Sequence, residues 1–361
     1  MQRPLGLTPM PPHAYELEHP RVPVVSRRRL CLGWATMAVA SSMLGLFLVA
    51  GMEAASAEDL VELSRGPDGK PGPVFRGEIL GIAQGKLTIR RADGREDVVP
   101  WARVAQYRTT WPAGLAAADR LRDERRYDDA LSAYLAAAQT EPRGWVKEVI
   151  KARAIVCFRE QQLPIRAGDL FLSMYRYDHE TPHFNAIPLA WIPAQLATER
   201  EDSKLRDHTL KWLADADHPG SVLLGASWLI TVGEPGRAIA ALQTLTQNAD
   251  KRIALLSEAQ LWRARIVQAK ESDVAGWERM PPRLPAPLRA GPHFTLGLAW
   301  QQCQQPERAA LAFLRVPIEH PDQTTLAAIA LELAAQQLDQ LQRPVEAARL
   351  RQERATRFGG K

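Results

Sequence analysis

The stretch Pro112–Pro142, PAGLAAADRLRDERRYDDALSAYLAAAQTEP, decides how the rest of the chain is read. Its small and apolar residues fall at helical spacing in two runs with a charged break between them. Tyr127 opens the second run, Ala130, Tyr134 and Ala137 follow, and Pro142 closes it. Ala118 lies twelve residues before Ala130, and Leu121 nine before it. Small residues at Ala118 and Ala130 allow two antiparallel helices to approach closely, with Leu121 and Tyr134 filling the space on either side.

The same spacing returns along the chain. A helix-opening residue with alanine three positions later recurs at Pro164/Ala167, Pro235/Ala238, Pro306/Ala309 and Pro344/Ala347. Proline suits that place because the first turn of a helix needs no donor there. Twelve before each alanine stand Ile155, Ala226, Gly297 and Ala335, and nine before stand Phe158, Leu229, Trp300 and Leu338. Successive openings are 37, 71, 71 and 38 residues apart. The doubled gaps predict two degenerate hairpins. One is Ala190–Thr198 with Ser203–Ala214; the other is Leu255–Lys270 with a stunted Ser272–Met280. The expected total is seven hairpins at a period of about 36 residues.

This pattern resembles the tetratricopeptide repeat, whose units pair two helices over a period of ~34 residues. Pro112–Pro142 carries the resemblance best, with Ala118, Tyr127, Ala130, Tyr134, Ala137 and Pro142 in place. Phe294–Pro321 follows, with Gly297, Trp300, Ala309, Phe313 and Pro321. The longer period and the two degenerate units depart from the family. The resemblance implies a mainly α protein, an α-solenoid over residues 111–356 with a tail at 357–361. It also implies that partners lie in a concave groove lined by the first helix of each pair. The matching groove positions are Asp119, Arg122, Arg159, Gln301, Gln336 and Asp339, a mixed polar lining that suits a polar peptide and equally a solvated helix face.

Before the repeats the period changes. Residues 58–73 read as a linker, with Ser64–Pro73 flexible by composition. Residues 74–110 alternate as short strands, with Gln84-Gly85 and Ala92-Asp93-Gly94 as turns. They predict a small β-barrel similar to SH3-like or Sm-like barrels. Its expected role is to cap the first hairpin, since fold alone does not license function.

Residues 1–29 form a proline-rich leader, expected to be disordered and cytoplasmic. Leu30–Met52 is uncharged and long enough to cross a membrane as a helix. Arg27–Arg29 before it, and Glu53, Glu58 and Asp59 after it, place the N-terminus inside and the body outside. An uncleaved single-span anchor, a signal cleaved after Ala57 and a twin-arginine export signal at Ser26–Leu30 all fit. The length of the apolar run favours the anchor. The expected location is the periplasmic face of the inner membrane, or secretion after cleavage.

The net charge of +5 is not clustered, which argues against a nucleic-acid partner. Cys31, Cys157 and Cys303 give neither a disulfide framework nor metal spacing. His179-Glu180-Thr181-Pro182-His183 spells the H-E-x-x-H of zinc peptidases. However, Pro182 opposes the helix that would put both histidines on one face. Phosphate-binding, dinucleotide-binding and serine-nucleophile motifs are absent. Pro281–Pro292, with five prolines, reads as a polyproline-like connector or a loop replacing a lost helix.

The sequence thus predicts a non-enzymatic protein–protein interaction scaffold or assembly factor. It would be tethered to the membrane and face outside the cytoplasm, bind a protein or peptide, and use no cofactor, metal or small-molecule substrate. A zinc-dependent peptidase at His179, Glu180 and His183 and a self-assembling envelope component are the alternatives.

Overall fold

The computed structural model describes residues 58–66, 69–193 and 204–359. The leader, the apolar run Leu30–Met52 and the cleavage site at Ala57 lie outside these residues. Among the described residues, no helix is long and apolar enough to cross a membrane. The fold is mainly helical, and the described residues form a small five-stranded antiparallel sheet followed by thirteen α-helices.

The strands are β1 (Asp59–Leu63), β2 (Val74–Ala83), β3 (Lys86–Arg90), β4 (Glu96–Pro100) and β5 (Val104–Arg108). Their order is β4-β3-β2-β1-β5, with a 3-10 turn at Trp101–Arg103 leading into β5. Gln84 and Gly85 both have positive φ, 51° and 66°, which matches the twist of the β2–β3 hairpin. Strand β1 falls in the stretch read as linker. Its alternation of Leu60 and Glu62 with the buried Val61 and Leu63 is only five residues long, too short to outweigh the Gly- and Pro-rich run after it. Asp59 anchors the strand by accepting the Ile79 amide at 2.7 Å.

The helices follow in pairs: α1 (Leu115–Asp123) with α2 (Tyr127–Thr140), and α3 (Gly144–Glu160) with α4 (Pro164–Tyr177). Helix α5 (Leu205–Ala214) stands without a described first partner. Then come α6 (Pro219–Thr231) with α7 (Pro235–Leu245), and α8 (Lys251–Arg265) with the short α9 (Glu271–Trp277). The last pairs are α10 (Ala290–Gln302) with α11 (Pro306–Glu319), and α12 (Thr324–Gln340) with α13 (Pro344–Phe358).

One turn recurs in five of these pairs. Arg125, Gln162, Gly233, Gln304 and Gln342 all have positive φ, each two residues before its second helix opens. The next amide in each, at Arg126, Leu163, Glu234, Gln305 and Arg343, donates to the carbonyl five residues back. This left-handed C-terminal cap satisfies carbonyls that the first helix leaves open. The five are the same pairs that share the alanine spacing, so pattern and turn geometry report one repeated unit.

Three expectations need correction. Ala190–Pro193 is not helical. The stretch runs without helix or strand; the rest of the helix expected there, residues 194–198, lies outside the described residues, which hold six helix pairs and α5. Pro281–Pro292 is not an extended connector. Its prolines open two 3-10 turns, Pro281–Arg283 and Ala286–Leu288, and Pro292 sits in the first turn of α10, where its missing donor costs nothing. The expected tail at 357–361 begins late, because α13 runs to Phe358.

Two large cores hold the described fold, and a small third cluster of Ala335, Leu338 and Ala347 joins α12 to α13. The sheet shares one with the first helices, in which Val61, Ile79, Leu87 and Ile89 meet Leu115, Ala118, Tyr134 and Trp145. The Trp145 indole donates to the Ile79 carbonyl at 3.2 Å and closes that seam. The other runs from Ile155 to Ala334. Gly297, fully buried in α10, lets Phe313 lie against the helix backbone.

Candidate functional site: the inner helix layer

First helices touch across pairs: α6 against α8, α8 against α10, α10 against α12. From α6 to α12 they therefore form a continuous layer, and their polar positions form a row. The six residues read as groove-lining lie on first helices in different circumstances, Asp119 and Arg122 on α1, Arg159 on α3, Gln301 on α10, and Gln336 and Asp339 on α12. Asp119 accepts the Tyr134 hydroxyl at 2.7 Å and is bonded by Arg122 and Arg153, so Asp119 and Arg122 share one network. Arg122 also reaches Asp123 at 2.8 Å, and Arg153 lies over the Trp111 ring. Arg159 binds the buried Glu160 at 3.1 Å, and Asp339 binds Arg351 at 2.6 Å. Gln301 has a buried side-chain oxygen without a protein partner, and Gln336 is exposed. Arg159, Gln301 and the pair Gln336/Asp339 sit on separate helices.

The middle of the row holds part of the chain itself. Ile187–Pro193 lies against α6 and α8, with Leu189 and Ala190 buried. The Ala190 amide donates to Ser227 Oγ at 2.9 Å. The Ala190 carbonyl accepts from Gln260 Nε2 at 3.2 Å and from Arg263 Nη1. The Pro188 carbonyl accepts from the Trp228 indole at 2.8 Å. Arg263 also donates to Thr231 Oγ1 at 2.6 Å and to the Ser227 carbonyl at 3.1 Å. All its described acceptors are neutral, and its deep position pulls the guanidinium pKa down to about 9.

Ser227, Gln260 and Arg263 were missed by the sequence reading, although the signal was present. Ser227 follows Ala226 and Gln260 follows Ala259, as Asp119 follows Ala118 and Gln336 follows Ala335. Arg263 follows Trp262, as Arg159 follows Phe158 and Gln301 follows Trp300. Gln260 and Arg263 lie in the unit whose second helix is stunted, which hides its repeat spacing, whereas Ser227 lies in a regular unit and a lone serine there gives no local sign of its role.

The H-E-x-x-H stretch forms turns. The Thr181 amide donates to the Asp178 carbonyl at 3.1 Å and the Phe184 amide to the Thr181 carbonyl at 3.3 Å. His179 packs edge-on against Tyr175 and stacks on His218, with centroids 4.8 and 5.3 Å apart. His183 is sunk elsewhere. Burial, with a smaller contribution from Arg153, pulls its pKa down to about 4. Arg252 fastens this loop, donating to the His179 and Thr181 carbonyls and lying 4.3 Å over the Phe184 ring. Beside it a cleft of about 680 Å³ is lined by Tyr175, His179, Glu180, Asp217 and Asp250. Among the described residues, no three His, Cys, Asp or Glu side chains are grouped to hold a metal ion.

No protein-family model, curated protein or solved structure matches the chain. The functional reading therefore rests on the layer of first helices alone.

Proposed function

We propose that this protein is a non-enzymatic protein–protein interaction scaffold whose binding surface is the inner helix layer. The helix pairs then form a solenoid resembling the tetratricopeptide repeat, and the sheet, whose strand order resembles an SH3-like barrel, caps its first pair. One observation carries the reading: the repeat positions that are polar on the outer units hold a peptide backbone in the two middle ones. Ser227, Gln260 and Arg263 bond Ala190 from the places that Asp119, Gln336, Arg122 and Arg159 occupy elsewhere. Such a layer presents a long rigid surface with side-chain donors and acceptors at regular intervals.

We further propose that Leu30–Met52 tethers this body to the membrane, with the body outside the cytoplasm. Affinity capture with the full chain from solubilised membranes, compared with a Gln336→Arg variant, tests the surface. A partner retained by the wild type and lost with the variant supports it; capture that ignores Gln336→Arg counts against it. Protease added outside intact cells should digest residues 58–361, and protection of the body would contradict the orientation.

A further inference from the structure

Ile187–Pro193 (IPLAWIP) is held in an unusual way for a core segment. The Ile187 and Leu189 amides close local turns, but the Ala190 amide and the Pro188 and Ala190 carbonyls are met by side chains of two neighbouring helices rather than by a strand or helix of the segment's own. Ser227 takes the Ala190 amide, Gln260 and Arg263 take the Ala190 carbonyl, and Trp228 takes the Pro188 carbonyl. Contacts made to backbone do not depend on which side chains the segment carries. Trp191 settles over Gly291 at the start of α10, where a Cβ would run into the indole. The glycine is thus a seat shaped for a large flat side chain. Arg263 spends a deeply placed positive charge on neutral acceptors. That is a costly way to fill a core, because desolvating a cation is recovered only by strong partners.

We propose that the trough formed by α6, α8 and α10 is a receptor for a non-helical apolar segment of a partner protein, with a large aromatic side chain on Gly291. Ile187–Pro193 is the intramolecular stand-in that such a segment displaces. This rests on the scaffold reading above and names the partner's chemistry: a short proline-flanked stretch with no net charge, recognised mainly through its backbone. Binding would be weakened by the tethered stand-in, since an intramolecular competitor acts at high effective concentration.

The test uses a fluorescent IPLAWIP heptapeptide and the full chain. Trp191→Ala should loosen the stand-in and tighten peptide binding at least tenfold over wild type. Gly291→Ala in the Trp191→Ala background should abolish that gain by filling the seat. Tightening that survives Gly291→Ala, or a cooperatively melting Trp191→Ala protein that binds no better than wild type, overturns the proposal. Should Trp191→Ala fail to fold, hydrogen exchange of the unaltered chain decides. The Ala190 amide should exchange at least 100-fold faster than the α6 amides it packs against. Protection of Ala190 equal to that of α6 makes the segment fixed core and ends the proposal. The scaffold reading survives that outcome, because its own test lies at Gln336.

Discussion

Glu160, at the end of α3, accepts the Thr324 hydroxyl at 2.7 Å and the next backbone amide, that of Thr325, at 2.8 Å. The Thr324 hydroxyl is also 3.3 Å from that of Tyr127, at the start of α2. Arg125, in the α1–α2 turn, donates to the Arg357 carbonyl and lies 5.7 Å over the Phe358 ring. The last helix pair therefore returns onto the first two. A carboxylate at a helix N-terminus meets unpaired amides and the positive end of the dipole, so this contact stabilises α12 as well as the closure.

Glu160→Ala should lower stability by about 1–3 kcal/mol, since it strips a partner from the first turn of α12 and from Arg159. Glu160→Gln keeps the shape and should cost less. Urea unfolding measures the loss. Hydrogen exchange should speed up at Thr325 first, and unchanged exchange there would show that the clasp does not hold α12.

The repeated turn gives a paired prediction. Gln304 occupies left-handed space that costs a residue with a Cβ roughly 1–2 kcal/mol, while Gly233 fills the same place freely. Allowing for glycine's greater unfolded freedom, Gln304→Gly should stabilise by about 0.5 kcal/mol. Gly233→Ala should destabilise by about 1 kcal/mol. Opposite shifts in thermal melts, stabilising at Gln304 and destabilising at Gly233, would confirm that the turns are equivalent.

Gly297→Ala sets two effects against each other. Alanine gains about 1 kcal/mol of helix propensity. The new methyl group runs into the fully buried Phe313 ring, and overpacking of this kind costs about 1–3 kcal/mol. The clash should win, giving a net loss. Gly297→Ala with Phe313→Leu should recover part of it.

Acid should weaken the fold before carboxylates titrate. Burial, helped by Arg153 at His183 and by Arg315 and His320 at His293, brings both histidines down to about 4. The unfolded chain takes up their protons near pH 6.5 and the folded chain only near pH 4. Their contribution is therefore present above pH 6.5 and is lost as pH falls toward 4. Between pH 7 and pH 5 each should remove on the order of 2 kcal/mol. The double variant His183→Phe/His293→Phe should flatten that slope, and an unchanged slope would show that other groups carry it.

Much of the helical part was legible because each unit repeats the same small-residue contacts. Ala118, Ala130, Ala226, Ala309 and Ala335 are all fully buried, as close helix packing demands. What failed was local. Ala190–Pro193 shows helical spacing, yet its place is decided by donors on α6 and α8 more than thirty residues away, which no window reveals. The closure of the last pair on Glu160 joins residues 164 apart in sequence and has no local signature either. Pro292 marks a helix start rather than a connector because the contacts of α10, not composition, choose between them. Of the polar row, Asp119, Arg122, Arg159 and Asp339 are spent on internal ion pairs, while Gln336 is left open.

The central claim, that the layer of first helices receives a protein partner, is tested most directly by site-specific photo-crosslinking in intact cells. A benzophenone side chain at Gln336, on the first helix α12, should yield a discrete higher-mass adduct. The same group at Leu311, exposed on the second helix α11, should yield none. Adducts from Leu311 and none from Gln336 would contradict the account.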